Sequence, residues 1–179
     1  MKQVKIIDKE FKISIPSEEI QAAISRIAKQ MDEDLKGKNV IFIGILNGAF
    51  MFAADLFKKI NIDCRITFLK IASYSGDHST GKMKRLIGLN DDITDATVVI
   101  LEDIVDTGKT IVDIMKQLKG YDPKEIKIAT LLLKPTVYDK DIKLDYVGLE
   151  IPNEFIVGFG LDYDGYGRNL EDIYTLIKK

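Results

Sequence analysis

One stretch, residues 97–110, TVVILEDIVDTGKT, constrains the chain more than any other. Val98, Val99, Ile100 and Leu101 form a β-branched apolar run of the kind found in strands covered on both faces. Glu102 and Asp103 follow, where the strand is expected to emerge at its carboxyl end. Asp106-Thr107-Gly108-Lys109-Thr110 then makes a short turn, and Ile111, Ile114, Met115 and Leu118 recur at helical spacing. A turn that ends on a helix N-terminus presents free backbone N–H groups and a positive dipole end, which suits a phosphate. Gly108 lets the backbone approach closely, and Thr107 and Thr110 add hydroxyl donors.

The carboxylates narrow this reading. Gly108-Lys109-Thr110 looks like the tail of a P-loop, G-x-x-x-x-G-K-[ST], but the first glycine position holds Asp103. A triphosphate cradle does not want acids beside it. Two carboxylates next to a one-phosphate nest suit a sugar phosphate, with the acids accepting hydrogen bonds from ribose hydroxyls. The bland competitor is a buried strand with a solvated acidic turn. The stretch resembles the phosphoribosyl-pyrophosphate motif of the type I phosphoribosyltransferases.

Length and composition set the outer limits. At 179 residues, 46% hydrophobic and 30% charged, the chain reads as one globular domain able to bury a full core. Lys and Arg number 26 against 28 Asp and Glu, a balance that argues against a general nucleic-acid binder. Cys64 is the only cysteine and reads as a small structural residue; with no internal disulfide available, a reducing compartment is expected. The opening MKQVKIIDKEF has no apolar targeting core and no run is long enough to span a membrane, so the expectation is a cytoplasmic protein. His78 is the only histidine, which leaves no His/Cys cluster for zinc; any metal is expected to be a hard cation on oxygen ligands, such as Mg²⁺.

Phe11, Ile13 and Ile15 alternate with polar residues as a short strand. Ser17 is the expected N-cap of a helix whose buried face is Ile20, Ala23, Ile24, Ile27, Met31 and Leu35, with Gly37 after its end. Residues 40–46, VIFIGIL, read as a buried strand, Asn47-Gly48 as a turn, and about 49–59 as a helix. This repeats the strand–turn–helix layout of the central stretch, so both turns should share one sheet edge. Residues 64–72 and 125–133 read as further strands. Residues 73–84, SYSGDHSTGKMK, break the pattern and read either as a hairpin tip or as a lid over an active site, with a strand resuming at 86–89. The expected fold class is α/β, a parallel sheet flanked by helices over about 39–133. The residues of about 1–16 and 134–179 are expected to build a smaller hood, closing on a short strand at 173–177.

With the tail in view the likeness sharpens. ILNGAF, the SYSG loop, LEDIVDTGKT, LLLKP and PNEFIVGFGLDYDGYGR occur in order across nearly the whole chain, and together are similar to the hypoxanthine(-guanine) phosphoribosyltransferases. The central motif alone marks only the wider superfamily; the last two segments carry the purine-specific likeness. The resemblance implies transfer of ribose 5-phosphate from phosphoribosyl pyrophosphate to N9 of hypoxanthine or guanine, giving IMP or GMP and pyrophosphate, with Mg²⁺ as cofactor.

It also implies roles. Asp106, Thr107, Gly108, Lys109 and Thr110 would hold the 5′-phosphate, while Glu102 and Asp103 would face the ribose hydroxyls, directly or through Mg²⁺ and its waters. Asp106 would sit near purine N7 as a general base or an electrostatic stabiliser. Lys134 would donate to the exocyclic O6, Phe155 would stack on the base, and Ile156 would pair with its edge through the backbone. Asp162 would lie at the purine end and bind a second Mg²⁺, so that the metal ligands are Glu102, Asp103 and Asp162. Leu46, Asn47, Gly48 and Arg168 would take pyrophosphate, and Ser73-Tyr74 would close as the lid pair. Relatives often carry Lys or Arg in the first loop, next to a non-proline cis peptide, where this chain has Asn47; pyrophosphate binding is therefore expected to lean more on Mg²⁺ and Arg168.

Two other readings stay open. Lys134 and Phe155 fit any 6-oxopurine, so a xanthine-preferring transferase is the nearest alternative. A noncatalytic RNA-binding regulator on the same fold would need a basic face that the charge balance does not offer. Association as a homodimer or homotetramer is implied by likeness alone.

Overall fold

A computed structural model describes residues 2–74 and 83–177 of the chain. The elements run β1 (Gln3–Ile6), β2 (Lys9–Ile15), α1 (Ser17–Asp34), β3 (Val40–Leu46), α2 (Phe50–Phe57), β4 (Cys64–Tyr74), β5 (Met83–Ile87), β6 (Thr97–Val105), α3 (Lys109–Leu118), a 3₁₀ turn (Lys119–Tyr121), β7 (Glu125–Leu133), β8 (Tyr146–Glu150), β9 (Ile156–Val157) and β10 (Ile173–Leu176). The large sheet has the order β5-β4-β3-β6-β7-β8. Five of its strands are parallel and β5 returns antiparallel to β4. A second, antiparallel sheet of order β1-β2-β10-β9 forms the hood from both ends of the chain. The α/β class expected from the sequence is the fold observed.

Strand alternation explains why the central strands are apolar on both faces. Val40 and Phe42 of β3 and Val99 and Leu101 of β6 pack toward α1 and α2. Ile41, Ile43, Val98 and Ile100 point the other way, onto Ile111, Ile114 and Leu118 of α3. Each fully buried side chain of this size contributes about 1.5–3 kcal/mol by leaving water. A third, smaller cluster of Ile6, Phe11, Val157 and Tyr174 fills the hood.

Several boundaries differ from the sequence reading. β6 does not end at Leu101: it runs to Val105, because β7 continues alongside it and pairs Glu102 with Thr130 and Val105 with Leu133. Glu102 and Asp103 therefore lie within the sheet. β4 likewise runs on to Tyr74, with Ser73 and Tyr74 paired to Lys84 and Met83 of β5, so the strand resumes earlier than 86. The large sheet also continues past Leu133. β8 pairs parallel to β7, and the tail enters the hood only after Glu150.

Ser17 is the first residue of α1 and its hydroxyl caps nothing. Its N–H is instead taken by the Asp172 carboxylate at 2.9 Å, from the far end of the chain. A fixed buried carboxylate satisfies the orphan N–H and meets the helix dipole, leaving no task for a local hydroxyl.

Candidate active site

β3 and β6 are neighbours in parallel register, Gly44 opposite Leu101, so the turns that follow them emerge at one edge as expected. The peptide between Leu46 and Asn47 is cis. Gly48 follows, and Asp103 occupies the space where any other residue would carry its Cβ: a Cβ built there would lie 1.7 Å from Asp103 Oδ2. From the opposite side the tail closes on the same loop, since a Cβ on Gly160 would lie 2.1 Å from the Gly48 carbonyl oxygen. Three segments far apart in sequence thus meet with backbone and carboxylate in contact.

Gly160 is held by Arg168. Its N–H donates to the Arg168 carbonyl at 3.0 Å, and the Arg168 guanidinium donates to the Gly160 carbonyl at 2.6 Å. The guanidinium also pairs with Asp162 Oδ1 at 2.6 Å, while Asp162 Oδ2 accepts the Gly165 N–H at 2.7 Å. Arg168 and Asp162 therefore come together at the mouth of the Leu46–Gly48 turn as one ion-paired unit.

Electrostatics single out the two acids of β6. Glu102 is buried and its Oε1 has no hydrogen-bond partner. Burial, with Asp103 beside it, pushes its carboxyl well above the usual range. Asp103 is pushed up to about 6, again chiefly by burial; the Ile104 N–H and Arg168 pull it partly back, and Asp162 opposes them. Adjacent carboxylates starved of solvent, one with an orphaned oxygen, are the donor chemistry of a hard divalent cation. Among the described residues no three acidic, His or Cys side chains converge into an all-protein metal cage. That arrangement suits Mg²⁺, which usually keeps waters and substrate oxygens in its shell. The residues fit the ion.

The turn after β6 has the form read from the sequence. Gly108 sits at φ 77° and immediately precedes α3, which has no side-chain cap, so its first N–H groups face the turn. Tyr138 and Lys140 pack on Gly108 so closely that a Cβ would lie 2.6 and 2.8 Å from them. Asp106, at the start of the turn, is half exposed. Lys134 follows β7, anchored by its N–H to the Val105 carbonyl at 3.0 Å. Its side chain is buried, and the ammonium donates to Asp106 Oδ2 at 3.4 Å and to Asn153 Oδ1 at 3.3 Å.

Phe155 is 46% exposed, an unusual state for a ring that touches Phe11 and Tyr163 at centroid distances of 6.3 and 5.9 Å. Lys9 lies over the neighbouring Tyr163 ring at 4.2 Å. β9 is the edge strand of the hood. The Phe155 carbonyl accepts the Leu176 N–H at 3.0 Å, so strand alternation turns the N–H and C=O of Ile156 to the open side.

Every expected site residue with a described side chain lies near this edge or in the hood segments facing it. Ser73 and Tyr74 are placed only as the end of β4, and the lid proposed for 73–84 falls mostly on residues 75–82, outside the described residues. Two participants went unread in the sequence. Gly160 lies in a Gly-Phe-Gly run that shows nothing of its contact with Gly48, and nothing in the Pro152-Asn153-Glu154 sequence marks Asn153 as a partner of Lys134. Among the described residues no helix is long and apolar enough to cross a membrane.

Comparison with known proteins identifies the family and the fold. The phosphoribosyl transferase domain family matches residues 16–164. The chain is 39% identical over 165 residues to a hypoxanthine-guanine phosphoribosyltransferase of Staphylococcus aureus strain Mu50, covering 92% of each. The crystal structure of a hypoxanthine phosphoribosyltransferase from Staphylococcus aureus superposes with a TM-score of 0.85 at 37% identity, covering 93% of this chain and 91% of that one. A hypoxanthine-guanine phosphoribosyltransferase from Bacillus anthracis gives a TM-score of 0.85 at 35% identity, over 93% and 98%.

Proposed function

The chain belongs to the phosphoribosyl transferase family, on its hypoxanthine-guanine branch, and from that premise we propose a purine-salvage enzyme that moves ribose 5-phosphate from phosphoribosyl pyrophosphate to N9 of hypoxanthine or guanine. The C1′–oxygen bond to pyrophosphate breaks with its electron pair leaving on pyrophosphate, and the N9–C1′ bond forms, giving IMP or GMP. The observation that carries the reading is Lys134 beside Asp106, a buried ammonium within 3.4 Å of the carboxylate that opens the phosphate-type turn. One site then offers a donor for an exocyclic oxygen, an acceptor for a purine proton and a cradle for the 5′-phosphate.

In this reading the N–H groups of residues 106–110 and the Thr107 and Thr110 hydroxyls grip the 5′-phosphate. Asp106 takes or stabilises the proton at N7. Lys134 donates to O6, Phe155 stacks on the ring, and the outward N–H and C=O of Ile156 pair with the base edge. Arg168 and the backbone of Leu46, Asn47 and Gly48 receive the leaving pyrophosphate, which requires Arg168 to loosen its grip on Asp162. Glu102 and Asp103 accept hydrogen bonds from the ribose hydroxyls, directly or through an Mg²⁺ they would hold, and Asp162 would hold a second Mg²⁺; such ions, when bound, supply charge neutralisation for the leaving pyrophosphate. Ser73-Tyr74 belongs to the cover that keeps water from a cationic ribose. The reading extends to a reducing, cytoplasmic setting and to self-association as a dimer or tetramer, for which exposed Phe50 and Phe68 offer apolar contact.

The direct test mixes the protein with phosphoribosyl pyrophosphate, Mg²⁺ and hypoxanthine, guanine or xanthine in turn, and follows nucleotide and pyrophosphate by chromatography. IMP and GMP are expected in step with pyrophosphate. No nucleotide from any base would overturn the reading.

A further inference from the structure

Lys134 reaches the purine position as a buried ammonium, and its three N–H donors need acceptors wherever water is excluded. One acceptor is Asp106 Oδ2 at 3.4 Å and another is Asn153 Oδ1 at 3.3 Å. The two differ in kind. Asp106 carries charge and, on the reading above, must be free to deal with a proton on the base. Asn153 has no part in that proton transfer, so its oxygen can hold the ammonium in place while Asp106 acts. It also stands two and three residues before Phe155 and Ile156, so the short segment that would stack on the base and pair with its edge also tethers the lysine.

We infer that Asn153 is a positioning residue for Lys134, fixing its ammonium at the C6 oxygen of the base and thereby favouring 6-oxopurines over 6-aminopurines. The inference rests on the purine-transfer reading. A 6-amino group would set donor against donor at that point, leaving a desolvated ammonium N–H unpaired. Discrimination of this kind is strong only while the site's own donor is held still. Without the tether, Lys134 can follow Asp106 toward solvent and the penalty for the amino base shrinks.

The test uses Asn153→Ala and Asn153→Asp in the full chain. Asn153→Ala should raise KM for hypoxanthine and the IMP dissociation constant about tenfold, as expected for losing a hydrogen bond to a charged group, while KM for phosphoribosyl pyrophosphate stays put and AMP affinity holds or rises. Asn153→Asp keeps an acceptor at the same place and should restore IMP binding to within about threefold of the parent. The inference falls if Asn153→Ala leaves IMP affinity unchanged, if it weakens IMP and AMP equally, or if Asp rescues no better than Ala. A parent protein that forms no IMP would remove the underlying reading itself, and that result is visible before any variant is made.

Discussion

The Asp103 carboxylate lies where a side chain on Gly48 would have to be: a Cβ there would come within 1.7 Å of Oδ2 and 2.4 Å of the carboxyl carbon. Gly48→Ala must therefore push apart the turn after β3 and the carboxylate of β6. We expect kcat/KM for phosphoribosyl pyrophosphate to fall at least about a hundredfold, a loss on the scale of a displaced positioning group. KM for the base should change little in initial-rate measurements, because Lys134 and Phe155 come from other segments, after β7 and just before β9.

Glu102 should show opposite signs in stability and function. Burial and its acidic neighbour hold its carboxyl well above the usual range, and Oε1 has no partner. A raised folded-state value means that stability falls as pH climbs from the ordinary carboxylate range toward it. Glu102→Gln cannot ionise, so without Mg²⁺ its melting temperature at neutral pH should match or exceed that of the parent. The Mg²⁺ concentration needed for half-maximal turnover should rise. Scanning calorimetry and a Mg²⁺ titration of rate check the two halves separately.

Asp172 works in the other direction. Its carboxylate takes the Ser17 N–H at 2.9 Å, the Lys2 ammonium at 2.6 Å and the Tyr174 hydroxyl at 3.2 Å, and Lys2 first, then Ser17, hold it below the usual range. A depressed value contributes stability that is present above the unfolded-state value and lost as pH falls through the folded one. Asp172→Asn should lower stability by about 1.5–3 kcal/mol at pH 7 and flatten the acid limb of the stability curve, measured by urea unfolding from pH 7 to 3.

Asp106 tests the chemistry. Asp106→Asn keeps the shape of the turn and a partner for Lys134, but removes the carboxylate that would accept the proton. Turnover should drop about a hundredfold or more while phosphoribosyl pyrophosphate binding weakens far less. Equal losses in both would assign Asp106 to holding the sugar alone.

Asn47 is exposed on the turn whose N–H groups would face pyrophosphate. Asn47→Lys should tighten pyrophosphate about three- to tenfold at low salt, with the gain shrinking as ionic strength rises. Product-inhibition constants in two buffers would read this directly, and no change would overturn the idea that Asn47 shifts pyrophosphate binding onto Arg168 and the ion.

Much of this was readable because the informative features are local. The Val98–Leu101 run, the Asp-Thr-Gly-Lys-Thr turn and the helical spacing after it each follow from neighbours in sequence, and they lie as read. What escaped depends on partners. β6 runs on through Glu102 and Asp103 because β7 keeps pairing, although two acids look like a strand's end. Ser17 had every mark of an N-cap, but a carboxylate 155 residues away took the N–H it would have served. Asn153 has no pattern at all; only the fold brings its oxygen to Lys134.

β9 is a strand of two residues at the border of the hood, with the main-chain groups of Ile156 facing outward. Such a bare margin is ordinarily a hazard, because it invites any extended peptide to add itself. Here the flat ligand would become the missing rung. Recognition written in amides rather than side chains is indifferent to which aliphatic residue stands at 156, and is vulnerable only to proline, which would erase the N–H.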